Sequence, residues 1–173
     1  EAIATQRVGG QIESVSWNTA DGFGAALNAF IAQNYGAGKN DRVRKGYKAS
    51  LWTVGIWGVL ISVIFICFPE PIAQIFFHEP KAIATAMGYL VIIGFSEAFM
   101  CVELTTVGAL SGLGRTRLCS IISIAFTSAR IPLAILLGGI MGLNGIWWAL
   151  SSTSIVKGII FTSTFLWITR KRK

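Results

Sequence analysis

Long apolar runs separated by short charged clusters set the pattern of this chain. Between Lys48 and Glu70, and again between Arg130 and Lys157, no charged side chain occurs. Each run is long enough to cross a hydrocarbon core of about 30 Å as a helix. The apolar periodicity and its breaks predict five helices, over about 8–37, 49–68, 81–111, 117–137 and 143–169. Glycines at 36 and 38, prolines at 69 and 71, the run from Gly112 to Gly114 and the glycines at 138, 139 and 142 supply the stops. A brief interfacial helix is expected at 72–77, and residues 39–48 read as a basic loop. Pro132 is expected to kink the fourth long helix, because it removes one backbone bond and crowds the preceding turn. The fold class is therefore all-α, a polytopic membrane bundle of five transmembrane helices.

The first of these helices is unusual for a span. It carries Gln11, Glu13, Ser14, Ser16, Asn18, Thr19, Asp21, Asn28 and Gln33. Lipid cannot hydrate such groups, so they are expected to face a bundle interior or an aqueous cavity.

Composition agrees with the membrane class. Of 173 residues 53% are apolar and only 13% charged, against about 25% charged in a soluble domain. The mean hydropathy is +0.63. The net charge of +7 could suggest nucleic acid. Its basic residues instead gather at 39–48, at Arg115 and Arg117 and at 170–173, always beside the end of an apolar run. That is the bias of cytoplasmic loops, so no nucleic-acid partner is expected. It places the turns after the first and third long helices, and the C-terminus, in the cytoplasm. Cys67, Cys101 and Cys119 lie in apolar runs without CxxC spacing and read as packing residues. His78 has no companion at metal-ligand spacing, so no metal site is expected. The chain starts at Glu1, with no cleavable signal pattern, and reads as the C-terminal part of something larger.

Five charged groups fall at membrane depth within the predicted spans. Counting from the cytoplasmic ends puts Asp21 at roughly 25 Å, Glu97 and Arg130 at roughly 22 Å, Lys157 at roughly 18 Å and Glu103 at roughly 14 Å. Mutual neutralisation would pair Arg130 with Glu97 and Lys157 with Glu103. That leaves an acid over, which must titrate, bind a cation or meet something outside this chain. Glu97, Cys101, Thr105 and Gly108 share one helix face, and Glu103 points elsewhere. Thr153, Ser154, Lys157, Phe161 and Thr164 form a comparable stripe, and Gly108 and Gly112 are spaced for close helix approach. Soluble-enzyme motifs fail: the Gly36 to Lys39 run has Gln33 and Asn40 where a phosphate loop needs Gly and Ser or Thr.

Four ordered motifs carry a family resemblance. Ala32-Gln33-Asn34-Tyr35-Gly36-Ala37-Gly38-Lys39 resembles the GQNxGAGK element of the multidrug and toxic compound extrusion (MATE) transporters. Gly108-Ala109-Leu110-Ser111-Gly112-Leu113-Gly114-Arg115-Thr116 resembles their GxLxGxGxT turn. Arg130-Ile131-Pro132-Leu133 and Gly142-Leu143-Asn144-Gly145-Ile146-Trp147 resemble later elements in the same order. The resemblance implies spans eight to twelve of a 12-helix, two-lobe transporter in the cell inner (plasma) membrane. It implies an antiporter rather than an enzyme, exporting cationic or amphipathic drugs against protons or sodium ions by alternating access, without ATP or any other cofactor. The N-terminal lobe of the same polypeptide would be its partner.

On that reading Glu97 and Glu103 are the candidate ion or proton carriers. They lie a turn to either side of Met100, the position at which many members have an acid. Asp21 and Glu13 are candidate cavity carboxylates, Gln11, Asn18 and Asn28 candidate neutral contacts, and Arg130 and Lys157 counter-charges. The alternative is a lipid-linked oligosaccharide flippase of the same superfamily; acids outnumbering bases at depth favour cationic cargo.

Overall fold

The computed structural model describes residues 2–170. Their order is α1 (Ala2–Gly36), α2 (Asn40–Cys67), α3 (Pro69–Phe76), α4 (Pro80–Gly112), α5 (Thr116–Met141) and α6 (Leu143–Arg170). Glu1 and the last three residues of the basic C-terminal cluster lie outside the described residues. Four helices, α2, α4, α5 and α6, are long and apolar enough to cross a membrane. All five expected long helices are present; α1 is long enough to span, but its polar residues keep it out of that apolar group of four. Helix α4 is the axis of the bundle, with α1, α2 and α6 packed on it and α5 packed on α6.

The basic segment 39–48 is not a loop. Helix α2 begins at Asn40, with Asp41 in its first turn, where a negative charge favours the helix N-terminus. Val43 and Tyr47, one turn apart, turn that segment's apolar face inward and are almost wholly buried. Tyr47 stacks on Phe165 at 3.8 Å and its hydroxyl meets Thr106 Oγ1 at 2.9 Å. Arg44 donates to the Thr169 carbonyl near the end of α6, supplying a partner to an otherwise orphaned helix terminus. Helix α1 likewise extends upstream of its expected start, and α5 runs on through Pro132 to Met141.

The two motif turns are one structure used twice. After α1, Gly38 sits at φ 71° and donates to the Tyr35 carbonyl, while Lys39 donates to that of Asn34. After α4, Gly114 sits at φ 72° and donates to the Ser111 carbonyl, while Arg115 donates to that of Leu110. Both are glycine-terminated Schellman caps, which satisfy the last carbonyls and need a residue without Cβ at the left-handed position. They place α2 back along α1, and α5 after α4, with basic residues at the same end.

Three apolar clusters hold the bundle. Leu27, Ile31, Tyr47, Leu110, Phe161 and Phe165 form the core near the basic ends. Phe65, Tyr89, Leu90, Ile93 and Trp147 form one at the opposite end, where Tyr89 meets Trp147 edge-on at 5.2 Å. Between them Ala20, Val54 and Cys101 are small enough to bring α1 and α2 close onto α4. The tightest approach of α1 to α4 is at Gly108, where an added Cβ would strike the backbone of Gly24.

Candidate functional site

The ionisable groups at depth separate into two clusters on opposite sides of α4. The first lies between α1 and α4. Glu97 is fully buried, and its Oε1 accepts from Cys101 Sγ at 3.9 Å, one turn along α4. Ser16 of α1 meets Cys101 Sγ at 3.2 Å and faces the same carboxylate. Glu13, one turn before Ser16, is close enough to act electrostatically on Glu97, and the Tyr89 hydroxyl lies within reach of Glu13. Two oxygens, Glu13 Oε1 and Glu97 Oε2, are buried without a hydrogen-bond partner. Among the described residues no lysine, arginine or histidine is ion-paired to either acid. Buried carboxylate oxygens normally find a donor or a cation, so two orphans on acids that influence each other mark a place for positive charge.

The second cluster lies between α4, α5 and α6. Lys157 Nζ is 2.7 Å from Glu103 Oε1, with both side chains nearly buried. Arg130 does not reach Glu97, which corrects that pairing. Its Nε donates to Thr153 Oγ1 at 2.9 Å and its Nη2 to Ser154 Oγ at 3.2 Å. The reason is which helices touch: α5 packs along α6 and barely meets α4. Arg130 still lies near enough to Glu103 to interact with it electrostatically. This cluster therefore holds one acid against two bases, so Glu103 already has its cation.

The remaining candidates all lie on α1. Gln11, Asn18 and Asp21 are exposed, and Asn28 is half-buried where α1 meets Gly112 of α4. Ser14 and Thr19 satisfy their own hydroxyls on the helix backbone, at 2.6 and 2.9 Å. Gln11, Asn18 and Asp21 recur at spacings of seven and three, so they form a polar stripe pointing away from α4. The structure thus brings Glu13 and Glu97 together, and Glu103, Lys157 and Arg130 together, and leaves Asp21 apart from both. Tyr89 is an addition that the sequence reading missed. Its position two turns before Glu97 on α4 was the available signal. Met100 is half-buried and carries no charge. Among the described residues no group of three or more His, Cys, Asp or Glu side chains is placed to hold a metal ion.

The model of the MatE family matches residues 1–136. The chain belongs to the MatE family. It is 32% identical over 171 residues to a probable multidrug resistance protein NorM of Thermotoga maritima, covering 95% of this chain and 35% of that protein. It is 26% identical over 159 residues to an FAD transporter of Shewanella oneidensis, covering 91% and 35%. It is 21% identical over 154 residues to human multidrug and toxin extrusion protein 1, covering 87% and 27%. This MatE chain therefore spans about a third of the length of the curated relatives it matches.

Proposed function

We propose that this MatE chain is most of the C-terminal lobe of a secondary multidrug antiporter. It works with an N-terminal lobe of the same polypeptide, as a multi-pass protein of the cell inner membrane with its C-terminus in the cytoplasm. The family match and the multidrug relatives support extrusion of small molecules rather than covalent chemistry, and the excess of buried acid supports cationic cargo. Sequential rather than simultaneous occupancy of one acidic site by a drug and a proton or sodium ion would couple their opposite movements. No cofactor is needed beyond that ion.

One observation carries the reading: Glu13 lies near enough to act electrostatically on Glu97, each has a buried oxygen without a hydrogen-bond partner, and among the described residues neither is ion-paired to a base. Two like charges so placed cannot both stay ionised in a low dielectric without a cation. Proton or sodium occupancy of this pair is the coupling step, and Tyr89 orients Glu13. Glu103 shares the candidate role but already has Lys157 as its cation, so Glu97 is the primary carrier. The polar stripe of Gln11, Asn18 and Asp21, with Asn28, lines the path between lobes. Arg130 and Lys157 are counter-charges of the second cluster.

The test is transport by the full-length protein in proteoliposomes, with Glu97→Gln and Glu13→Gln each removing one ionisable oxygen. Both variants should insert normally and lose drug efflux driven by an imposed proton or sodium gradient. Efflux at the original rate in both variants overturns the assignment. Which of the two gradients drives the unaltered protein identifies the ion.

A further inference from the structure

A groove of 720 Å³ lies between α2, α4 and α6, on the side of α4 away from the carboxylate pair. Ligand sites commonly enclose about 300–1,000 Å³. Its walls are apolar, with Trp52 and Val59 of α2, Phe99 and Val102 of α4 and Ile159 of α6 among them. Lys48 stands at one end. The groove is built into the backbone. Gly55 of α2 lines it, and a side chain there would meet nothing within 4 Å. At its floor Gly158 lets α6 close onto the Phe99 carbonyl of α4.

Three features identify what fits. The helices that form it are all long and apolar enough to cross a membrane, so the medium around it is hydrocarbon. From Lys48 to Val59 the α2 wall rises roughly 16 Å, the depth of one leaflet of a core about 30 Å thick. A spanning helix would need twice that length, whereas an acyl chain hung from the interface needs just this much. Lys48 is exposed and, among the described residues, forms no ion pair, and Trp52 sits one turn deeper with 66% of its surface exposed. A cation at the headgroup level with an aromatic ring below it is the pattern that anchors to an anionic interface.

We propose that this groove binds one acyl chain of an anionic phospholipid, from the leaflet at the basic ends of the helices, with the lipid phosphate on Lys48. The site is separate from the carboxylate pair, so it stands or falls independently of the coupling assignment.

Trp52 is its own reporter. The intact protein is placed in phosphatidylcholine nanodiscs doped with either phosphatidylglycerol or phosphatidylcholine brominated on its acyl chains, since bromine quenches nearby indoles. The Trp52 signal is the difference between the unaltered protein and Trp52→Phe. Brominated phosphatidylglycerol should quench that signal at a several-fold lower mole fraction than brominated phosphatidylcholine. Lys48→Gln should reduce this preference about fivefold, equivalent to ~1 kcal/mol. Gly55→Leu should fill the groove and bring the two lipids to equal potency, with an unchanged melting temperature. Equal potency of the two lipids in the unaltered protein, or a preference that survives Lys48→Gln, would reduce the groove to ordinary annular lipid and overturn the proposal. Absence of Trp52 quenching by either lipid would mean that protein covers it, which overturns the proposal equally.

Discussion

Breaking the Lys157–Glu103 pair tests the electrostatics of the bundle most directly. At 2.7 Å, with side chains 12% and 9% exposed, the gross attraction is about 6 kcal/mol at an effective dielectric of about 20. Desolvation of both ions offsets most of that, so the intact pair adds little net stability, while removal of one partner typically costs about 3–5 kcal/mol. The two single variants are not equivalent here. Lys157→Gln leaves Glu103 with Arg130 nearby, whereas Glu103→Gln leaves Lys157 and Arg130 with no acid between them. The expected losses are about 4 kcal/mol for Glu103→Gln and about 3 for Lys157→Gln. The double variant should lose only about 2 kcal/mol, because neither member of the pair is stranded and only Arg130 is left without its acid, giving a coupling energy of about 5 kcal/mol. Reversible denaturant unfolding of the intact protein in detergent, followed by circular dichroism, measures all three. Losses that add to within about 0.5 kcal/mol would mean that the pair is not coupled, and the description of this cluster would be wrong.

Three further outcomes follow from the packing. Gly108→Ala places a methyl group on the Gly24 backbone, which cannot rotate away; it should cost about 1–3 kcal/mol. Gly22→Ala, which meets nothing within 4 Å, should be neutral or slightly stabilising in the same unfolding measurement. Tyr47→Phe removes the hydrogen bond to Thr106 while keeping the ring stack on Phe165, and should cost about 1 kcal/mol.

Much of the bundle was legible before any coordinates. Apolar length and glycine or proline breaks located the four long apolar helices and the short α3. Helix periodicity separated Glu97 from Glu103, because six residues at 100° each put them on different faces of α4. Depth counting matched Lys157 to Glu103. It failed for Arg130 because depth gives a level in the membrane and no direction around it; α5 turns its arginine to α6, where Thr153 and Ser154 receive it. The same lack of direction left Glu13 and Glu97 in separate roles, although Glu13 of α1 lies near enough to act electrostatically on Glu97 of α4. At the start of α2 the density of lysine and arginine masked the inward spacing of Val43 and Tyr47.

The contact of Gly24 with Gly108 has a mechanical corollary. Two main chains that touch without side chains between them have no rotamers with which to absorb sliding or rolling. Helices α1 and α4 must then travel as a single strut during any rocking of the lobe. In the proposed transport cycle the acids at 13 and 97, one on each helix of that strut, would keep their mutual spacing, and the motion would alter only which compartment's water reaches them.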